Sequence, residues 1–219
     1  MNFRFFIQVL FAYDSWVTRI YLLIRFTIIR LIMSDILSNL PEDGLIMNLG
    51  SGIGLFDLYS ARFRPNANIL GIDINPKRIE LSRRAAQKLN LSNVEFRNGD
   101  VTRDLPEMKP QVVIMLDLLH HVEPEQRRKI LEWVASHLQE NGVLFIKDIS
   151  TQKKWKVLFT KLLDKAMTMG GEVYYYSQEE LKEALRSLGF STATFHLWDY
   201  IPFPHIIYIA HRTSKTGEK

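Results

Sequence analysis

Three glycines spaced two residues apart constrain this chain more than any other feature. Gly50, Gly52 and Gly54 follow a mostly apolar run, residues 45–49, that is typical of a short buried strand, and residues 55–62 suit a helix. A strand that passes through such a turn into a helix points several backbone N–H groups at one place. Glycine is needed there because a Cβ would keep a ligand away from the backbone. The stretch therefore predicts a turn that binds a polar or anionic group.

Glycine-rich turns of this kind occur in more than one class of nucleotide site. A dinucleotide site has its third glycine at the position that Leu55 occupies, whereas here the glycine comes one residue earlier, at Gly54. The spacing therefore disfavours an NAD-dependent oxidoreductase, which we keep as an alternative.

The rest of the chain alternates apolar segments with helical ones. Further strands are predicted at residues 67–72, 94–97, 112–116 and 143–146, with helices at residues 77–89, from Pro124 onward and at residues 155–167. Residues 177–180 match a capping box, which predicts the start of one more helix. Continuous apolar strands separated by helices indicate a parallel, doubly wound α/β sheet. Residues 192–198 and 206–211 predict two more strands, and since the link between them is too short for a helix, they should pair antiparallel.

Residues 1–40 form a predicted helical extension, and a turn at residues 41–44 begins the main domain, residues 41–219. Arg25 and Arg30 interrupt the longest apolar stretch, residues 20–33, so a membrane-spanning helix is not expected, and no secretory signal is recognisable. Two interpretations remain open: helices that pack over the domain and close its active site, or a basic amphipathic segment, residues 1–35, that lies on a membrane surface.

Composition sets only broad limits on function. The 219 residues include no cysteine, which fits a cytoplasmic location. The net charge of +4 and the short blocks of like charge give no reason to expect a nucleic-acid partner.

Two aspartates stand at the predicted ends of successive strands. Asp73 ends the second strand, 19 residues after Gly54, where a carboxylate can accept both hydroxyls of a ribose. Asp100 follows the third strand and could accept a hydrogen bond from an exocyclic amine such as that of adenine. Because parallel strands end at one edge of the sheet, the glycine turn and both carboxylates should lie together.

Residues 45–148 resemble the class I S-adenosylmethionine (SAM)-dependent methyltransferases throughout, in the segments IMNLGSGIG, ILGIDINP, VEFRNGDV, VVIMLDLLHHV and NGVLFIKDI. The resemblance implies a Rossmann-like sheet of seven strands with an antiparallel C-terminal hairpin, and SAM as cofactor with S-adenosylhomocysteine (SAH) as product. The implied cofactor-binding residues are Asn48, Gly50, Ser51, Gly52, Gly54, Asp73, Ile74, Asp100, Val101, Leu116 and Asp117.

Within this set the resemblance gives particular roles. Gly50 and Gly52 would lie near the methionine portion, Asp73 on the ribose, and Asp100 with Val101 on the adenine, with Ile74 packed on the adenine face. Where the family usually carries an acidic residue, this chain has Asn48, which can hydrogen-bond but brings no charge.

The acceptor side of the reaction is less determined. His120 or His121, after the fourth strand, could act as a general base for an oxygen acceptor, or could pack structurally. Asp117 and Asp148 end neighbouring strands, as the magnesium ligands of catechol-type methyltransferases do, but Ile149 stands where those enzymes have asparagine. No metal is therefore predicted.

Aromatic residues are abundant on both sides of the main domain. Tyr13, Trp16, Trp155 and Tyr175 are candidate contacts for a hydrophobic small-molecule or lipid-like acceptor, or else belong to the core. The sequence thus predicts a SAM-dependent methyltransferase. A SAM-binding or membrane-interaction protein without catalytic activity is the remaining alternative.

Overall fold

The structure is a computed structural model that describes residues 2–149, 174–196 and 205–213. The described strands are β1 (Asp43–Leu49), β2 (Asn66–Asp73), β3 (Val94–Asn98), β4 (Val112–Leu116), β5 (Val143–Ile149), β6 (Phe190–His196) and β7 (His205–Arg212). The described helices are α1 (Phe3–Ala12), α2 (Trp16–Ser38), α3 (Leu55–Phe63), α4 (Pro76–Lys88), α5 (Pro124–His137) and α6 (Gln178–Ser187), with a 3-10 turn at Leu119–His121.

The strands follow the order β3-β2-β1-β4-β5-β7-β6. β1, β2 and β3 pair in parallel, as do β4 and β5, whereas β7 pairs antiparallel with both β5 and β6. The predicted α/β class, the seven-stranded sheet and its antiparallel hairpin are therefore confirmed. The helix predicted at residues 155–167 lies outside the described residues, as does Trp198 at the end of a predicted strand.

The chain divides into two compact units, residues 1–101 and 102–219. In the first unit, the inner faces of α1 and α2 pack against α3 through aromatic contacts. The rings of Phe6 and Phe26 stack with centroids 3.6 Å apart, and Phe5 meets Tyr59 edge-on at 5.0 Å. The Arg64 guanidinium donates to carbonyls near the end of α2, which satisfies groups that the helix itself leaves unpaired.

The opposite side of α1 and α2, which we term the outer face, exposes large apolar side chains. They recur at helical spacing on each helix: Phe3, Ile7, Phe11, Trp16, Val17, Ile20, Leu23 and Ile24. The helices thus bury one apolar face and expose another. Among the described residues, no helix is both long and apolar enough to cross a membrane.

In the second unit, local sequence determines where the helices begin. Pro124 occupies the first turn of α5, where its missing N–H costs nothing. Ser177 caps α6, and Glu180 returns the hydrogen bond, so the predicted capping box is confirmed.

Candidate functional site

The glycine turn joins β1 to α3 through positive φ angles. Gly50, Gly52 and Gly54 have φ of 76°, 60° and 76°. A Cβ on Gly54 would lie 2.7 Å from the ring of Phe96, whereas a Cβ on Gly52 would have no atom within 4 Å. Packing therefore requires glycine at position 54, but Gly52 borders open space that a ligand could occupy.

Asp73 connects this turn to the ends of two further strands. One of its carboxylate oxygens accepts the N–H of Gly52 and the other accepts the N–H of Asn75, each at 2.9 Å. The backbone carbonyl of Asp73 accepts the N–H of Gly99 at 3.1 Å. The first unit thus brings the glycine turn, Asp73 and the residue before Asp100 together at one edge of the sheet.

The remaining predicted cofactor residues of the first unit surround this edge. Ile74 is 66% exposed, Val101 is buried and Asp100 is half-buried. Ser51 donates its N–H to the carbonyl of Ile72 at 2.9 Å, which fixes the turn against β2. An exposed apolar side chain beside half-buried polar groups is suited to contact a ring that has both a flat face and polar edges.

Asn48 is buried at the end of β1, directly before the glycine turn. Its amide nitrogen donates to a carboxylate oxygen of Asp57 at 3.0 Å. Asp57 lies in the first turn of α3 and is fully buried. Asp57 was not predicted as a site residue from the sequence, although an acid within the apolar segment Leu-Phe-Asp-Leu-Tyr was a visible signal.

In the second unit, Leu116 ends β4 and Asp117 follows it directly. Leu116 is buried, and Asp117 has a positive φ of 59°. The carboxylate of Asp117 forms an ion pair with the buried ammonium of Lys147. Within the part of the chain that the structure describes, no group of three His, Asp or Glu side chains is arranged to hold a metal ion.

His120 belongs to a buried polar cluster in the same unit. Its Nδ1 hydrogen-bonds to one oxygen of Asp148, and the hydroxyl of Tyr176 donates to the other at 2.7 Å. Burial opposes ionisation of Asp148, but His120 and Tyr176 hold the pKa of its carboxyl below the ordinary value. The Asp148 carboxylate therefore stays charged and fixes the His120 ring.

Arg127 of α5 holds the surroundings of this cluster in place. Its guanidinium donates to the carbonyls of Leu119, Val122 and Tyr174. It also lies 4.1 Å from the centre of the Tyr176 ring. This cation–π contact and the carbonyl contacts orient the Tyr176 side chain toward Asp148.

The other predicted acceptor residues have different environments. His121 is exposed and lies with its ring centroid 4.0 Å from that of His120. Tyr13 is buried and its hydroxyl donates to the carbonyl of Ile53 in the glycine turn, while Trp16 is 70% exposed. Tyr175 is half-buried, and Trp155 lies outside the described residues.

Comparison with known proteins identifies a family. The sequence model of a family described as a methyltransferase domain matches residues 42–189. Among curated proteins, the chain is 29% identical over 107 residues to (S)-coclaurine N-methyltransferase of Thalictrum flavum, covering 48% of this chain and 28% of that protein. It is 28% identical over 116 residues to erythromycin 3''-O-methyltransferase of Saccharopolyspora erythraea, covering 51% and 37%.

The fold comparison extends over more of the chain than these alignments. The magnesium protoporphyrin IX methyltransferase of Synechocystis, solved with bound SAH, superposes with a TM-score of 0.68 at 19% identity, covering 91% of this chain and 88% of that one. The three curated relatives that match first are longer than this chain, which spans 28% to 59% of their length.

Proposed function

This chain belongs to the class I SAM-dependent methyltransferase family, and we propose that it transfers the methyl group of SAM to a hydrophobic small-molecule or lipid-like acceptor. The observation that carries the proposal is the junction of Gly52, Asp73 and Gly99 through hydrogen bonds at the ends of successive strands. It is the arrangement that an adenosyl ligand needs: bare backbone beside a fixed carboxylate.

The residues of the first unit fit the cofactor. Gly52 borders open space, and each oxygen of Asp73 has accepted one backbone N–H, which leaves a second lone pair for a ribose hydroxyl. We assign Asp73 to the ribose, Asp100 and Val101 to the adenine edge and the exposed Ile74 to the adenine face. Gly50 and Gly52 would border the methionine portion. Tyr13, whose hydroxyl is bonded within the turn, is assigned to positioning that turn.

The chemistry requires little from the protein beyond orientation. Bound SAM supplies a methyl group already activated by its sulfonium centre. The chain must therefore hold the acceptor in line with that methyl and exclude water, and it needs no nucleophilic side chain of its own. The glycine turn is well suited to hold the cofactor still for this alignment, because the N–H groups of Gly50 and Ser51 fix its backbone to β2.

Calorimetric titration of the full chain tests the proposal. We expect binding of SAM and SAH and no binding of NADH; binding of NADH alone would favour the oxidoreductase alternative. A methyl-transfer screen over phenols, quinones and lipids then separates an enzyme from a SAM-binding protein without activity. Absence of binding to both SAM and SAH would refute the proposal.

We assign the general base, for a hydroxyl acceptor, to His120. Asp148 engages Nδ1 of its ring, so Nε2 is the nitrogen that takes a proton. A charged Asp148 also stabilises the imidazolium that results, as in other His–carboxylate pairs. His121, which is exposed and follows His120 in the same 3-10 turn, is the natural comparison.

His120→Asn should lower the methylation rate of a phenol acceptor by about 100-fold or more, because a positioned base contributes about that much. The asparagine amide can still donate to Asp148, so the cluster keeps one hydrogen bond. SAH affinity should stay unchanged. His121→Asn is the matched control, and an equal loss in both variants would contradict the assignment to His120.

The outer face of α1 and α2 supports a membrane-surface role for this protein. Phe3, Phe11 and Trp16 are 64%, 66% and 70% exposed, a large apolar area for a surface in contact with water alone. Four arginines, at positions 4, 19, 25 and 30, accompany it, whereas the single acid among residues 2–34, Asp14, pairs with Lys88 at 2.6 Å. We propose that this face contacts the anionic inner face of a membrane, where a lipid-like acceptor would be available.

Replacing Phe3, Phe11 and Trp16 together with serine should weaken co-sedimentation with phosphatidylglycerol vesicles by at least about 100-fold, since each buried aromatic contributes about 1.5 kcal/mol or more. Phosphatidylcholine vesicles should bind the wild-type protein less tightly. Phe195→Ser removes an exposed aromatic that lies outside the outer face, and serves as control. Unchanged binding by the triple variant would refute the membrane role.

A further inference from the structure

A buried polar pair lies directly behind the glycine turn. Asn48 is 2% exposed and Asp57 is 0% exposed, and one hydrogen bond of 3.0 Å joins them. The second oxygen of Asp57 and the amide oxygen of Asn48 are both buried and have no hydrogen-bond partner among the described residues. Buried acceptors without donors are uncommon and costly, so the pair is suited to receive a donor from outside the chain.

The surroundings of Asp57 contain no compensating cation. No ion pair with Asp57 occurs among the described residues, and the ionisable groups that act on it are Tyr13 from the end of α1 and Asp73 from the end of β2. Burial raises the pKa of Asp57 to about 7, and the Asp73 carboxylate adds to the increase, while the hydrogen bond from Asn48 opposes it. The ligand-free protein therefore holds a carboxyl group that a neighbouring positive charge would ionise.

We infer that Asp57 is the counter-charge for the cationic amino group in the methionine portion of the cofactor, and that Asn48 connects the two. The amide of Asn48 donates to Asp57 and would offer its unpaired oxygen to the ammonium group. Hydrogen bonds in such a chain strengthen one another, because each polarises the next. The inference rests on the proposed function, since it concerns the same ligand.

The negative charge is then carried by Asp57 of α3, nine residues after Asn48, and not by a residue of β1. Asp57 is then a positioning residue that acts through Asn48. The first turn of α3 is a suitable place for it, because the helix dipole favours a carboxylate there.

The charge balance gives a pH dependence that distinguishes ligands. A cation bound beside the pair requires the ionised form of Asp57, so binding below pH 7 must displace a proton. Affinity for a ligand with an ammonium group should therefore fall by up to about tenfold for each pH unit below 7. A ligand without that group should not show the decrease.

Two ligands that differ in the amino-acid portion test the inference. SAH carries the ammonium and carboxylate groups, and 5′-methylthioadenosine has the same adenosyl thioether without them. Calorimetry on the full chain at pH 8 should show that Asp57→Asn weakens SAH by about tenfold or more and leaves 5′-methylthioadenosine within about twofold. The double variant Asn48→Asp, Asp57→Asn returns a carboxylate to the pair and should recover most of the SAH affinity.

The contrary results are distinct. Equal loss of both ligands in Asp57→Asn would mean that Asp57 only supports the turn, and retention of both would mean that it has no role; either overturns the inference. Should Asp57→Asn fail to fold, the wild-type protein decides: parallel affinities of the two ligands between pH 7.5 and 5.5 overturn it, and a selective fall for SAH supports it. If the wild-type protein binds neither ligand, the proposed function itself fails.

Discussion

Asp73→Ala is expected to weaken SAH binding by at least about 100-fold, because a hydrogen bond to a charged group contributes about 1.5–3 kcal/mol and the variant loses two ribose contacts. The substitution also removes the acceptor for the N–H groups of Gly52 and Asn75, so the glycine turn loses one of its attachments to β2, while the N–H groups of Gly50 and Ser51 still bond to the carbonyl of Ile72. Titration calorimetry with SAH measures the effect directly.

Two further variants separate binding from folding in this experiment. Asp43→Ala removes an exposed aspartate at the opposite end of β1 and should leave SAH affinity unchanged. Asp73→Asn keeps one acceptor oxygen and should give an intermediate loss. If Asp73→Ala binds SAH within about threefold of the wild-type protein, the assignment of Asp73 to the ribose is wrong.

The sheet could be predicted from sequence because its strands are short apolar runs between turn residues. β4 was predicted with both ends correct, since all five of its residues are apolar and buried. β5 was predicted to end at Ile146 but continues to Ile149. Lys147 and Asp148 extend it because Asp117 and His120 pair with their charges, and hydropathy alone does not reveal such pairing.

The edge that we assign to the cofactor was also predictable, because it follows from topology. Parallel strands end at the same edge, so the spacing of Gly52, Asp73 and Asp100 was enough to expect them together. The structure joins Gly52 and Gly99 to Asp73 by hydrogen bonds. The individual roles of these residues in binding stay predictions.

Contacts between distant segments could not be predicted in the same way. Tyr13 bonds to the carbonyl of Ile53, 40 residues away, and the pairing of Asn48 with Asp57 depends on how α3 packs on β1. The hydroxyl of Tyr176 donates to Asp148, which lies 28 residues earlier in the sequence. Each contact requires a tertiary arrangement that periodicity and spacing do not specify, and two of them surround the proposed cofactor turn.

Asp57→Asn should stabilise the ligand-free protein even though it weakens SAH binding. An unfolded aspartate ionises near 3.8, but burial raises the pKa of Asp57 to about 7 in the folded protein. Between these values the folded state holds the extra proton, so the wild-type protein loses stability as the pH rises from 4 to 7, and the loss then stays constant. A shift of about three units corresponds to about 4 kcal/mol, which the neutral asparagine avoids.

Urea unfolding at pH 4, 5, 6, 7 and 8 measures this difference. The advantage of Asp57→Asn over the wild-type protein should be small at pH 4, grow by about 1.4 kcal/mol per pH unit, and level off above pH 7. Asp35→Asn, on the exposed side of α2, is the control and should show no such trend. A pH-independent difference would mean that Asp57 is already ionised in the folded protein at acid pH. A stabilised variant with weakened SAH binding would instead indicate that the buried carboxylate is kept for the ligand at the expense of stability, as expected for groups whose role is binding.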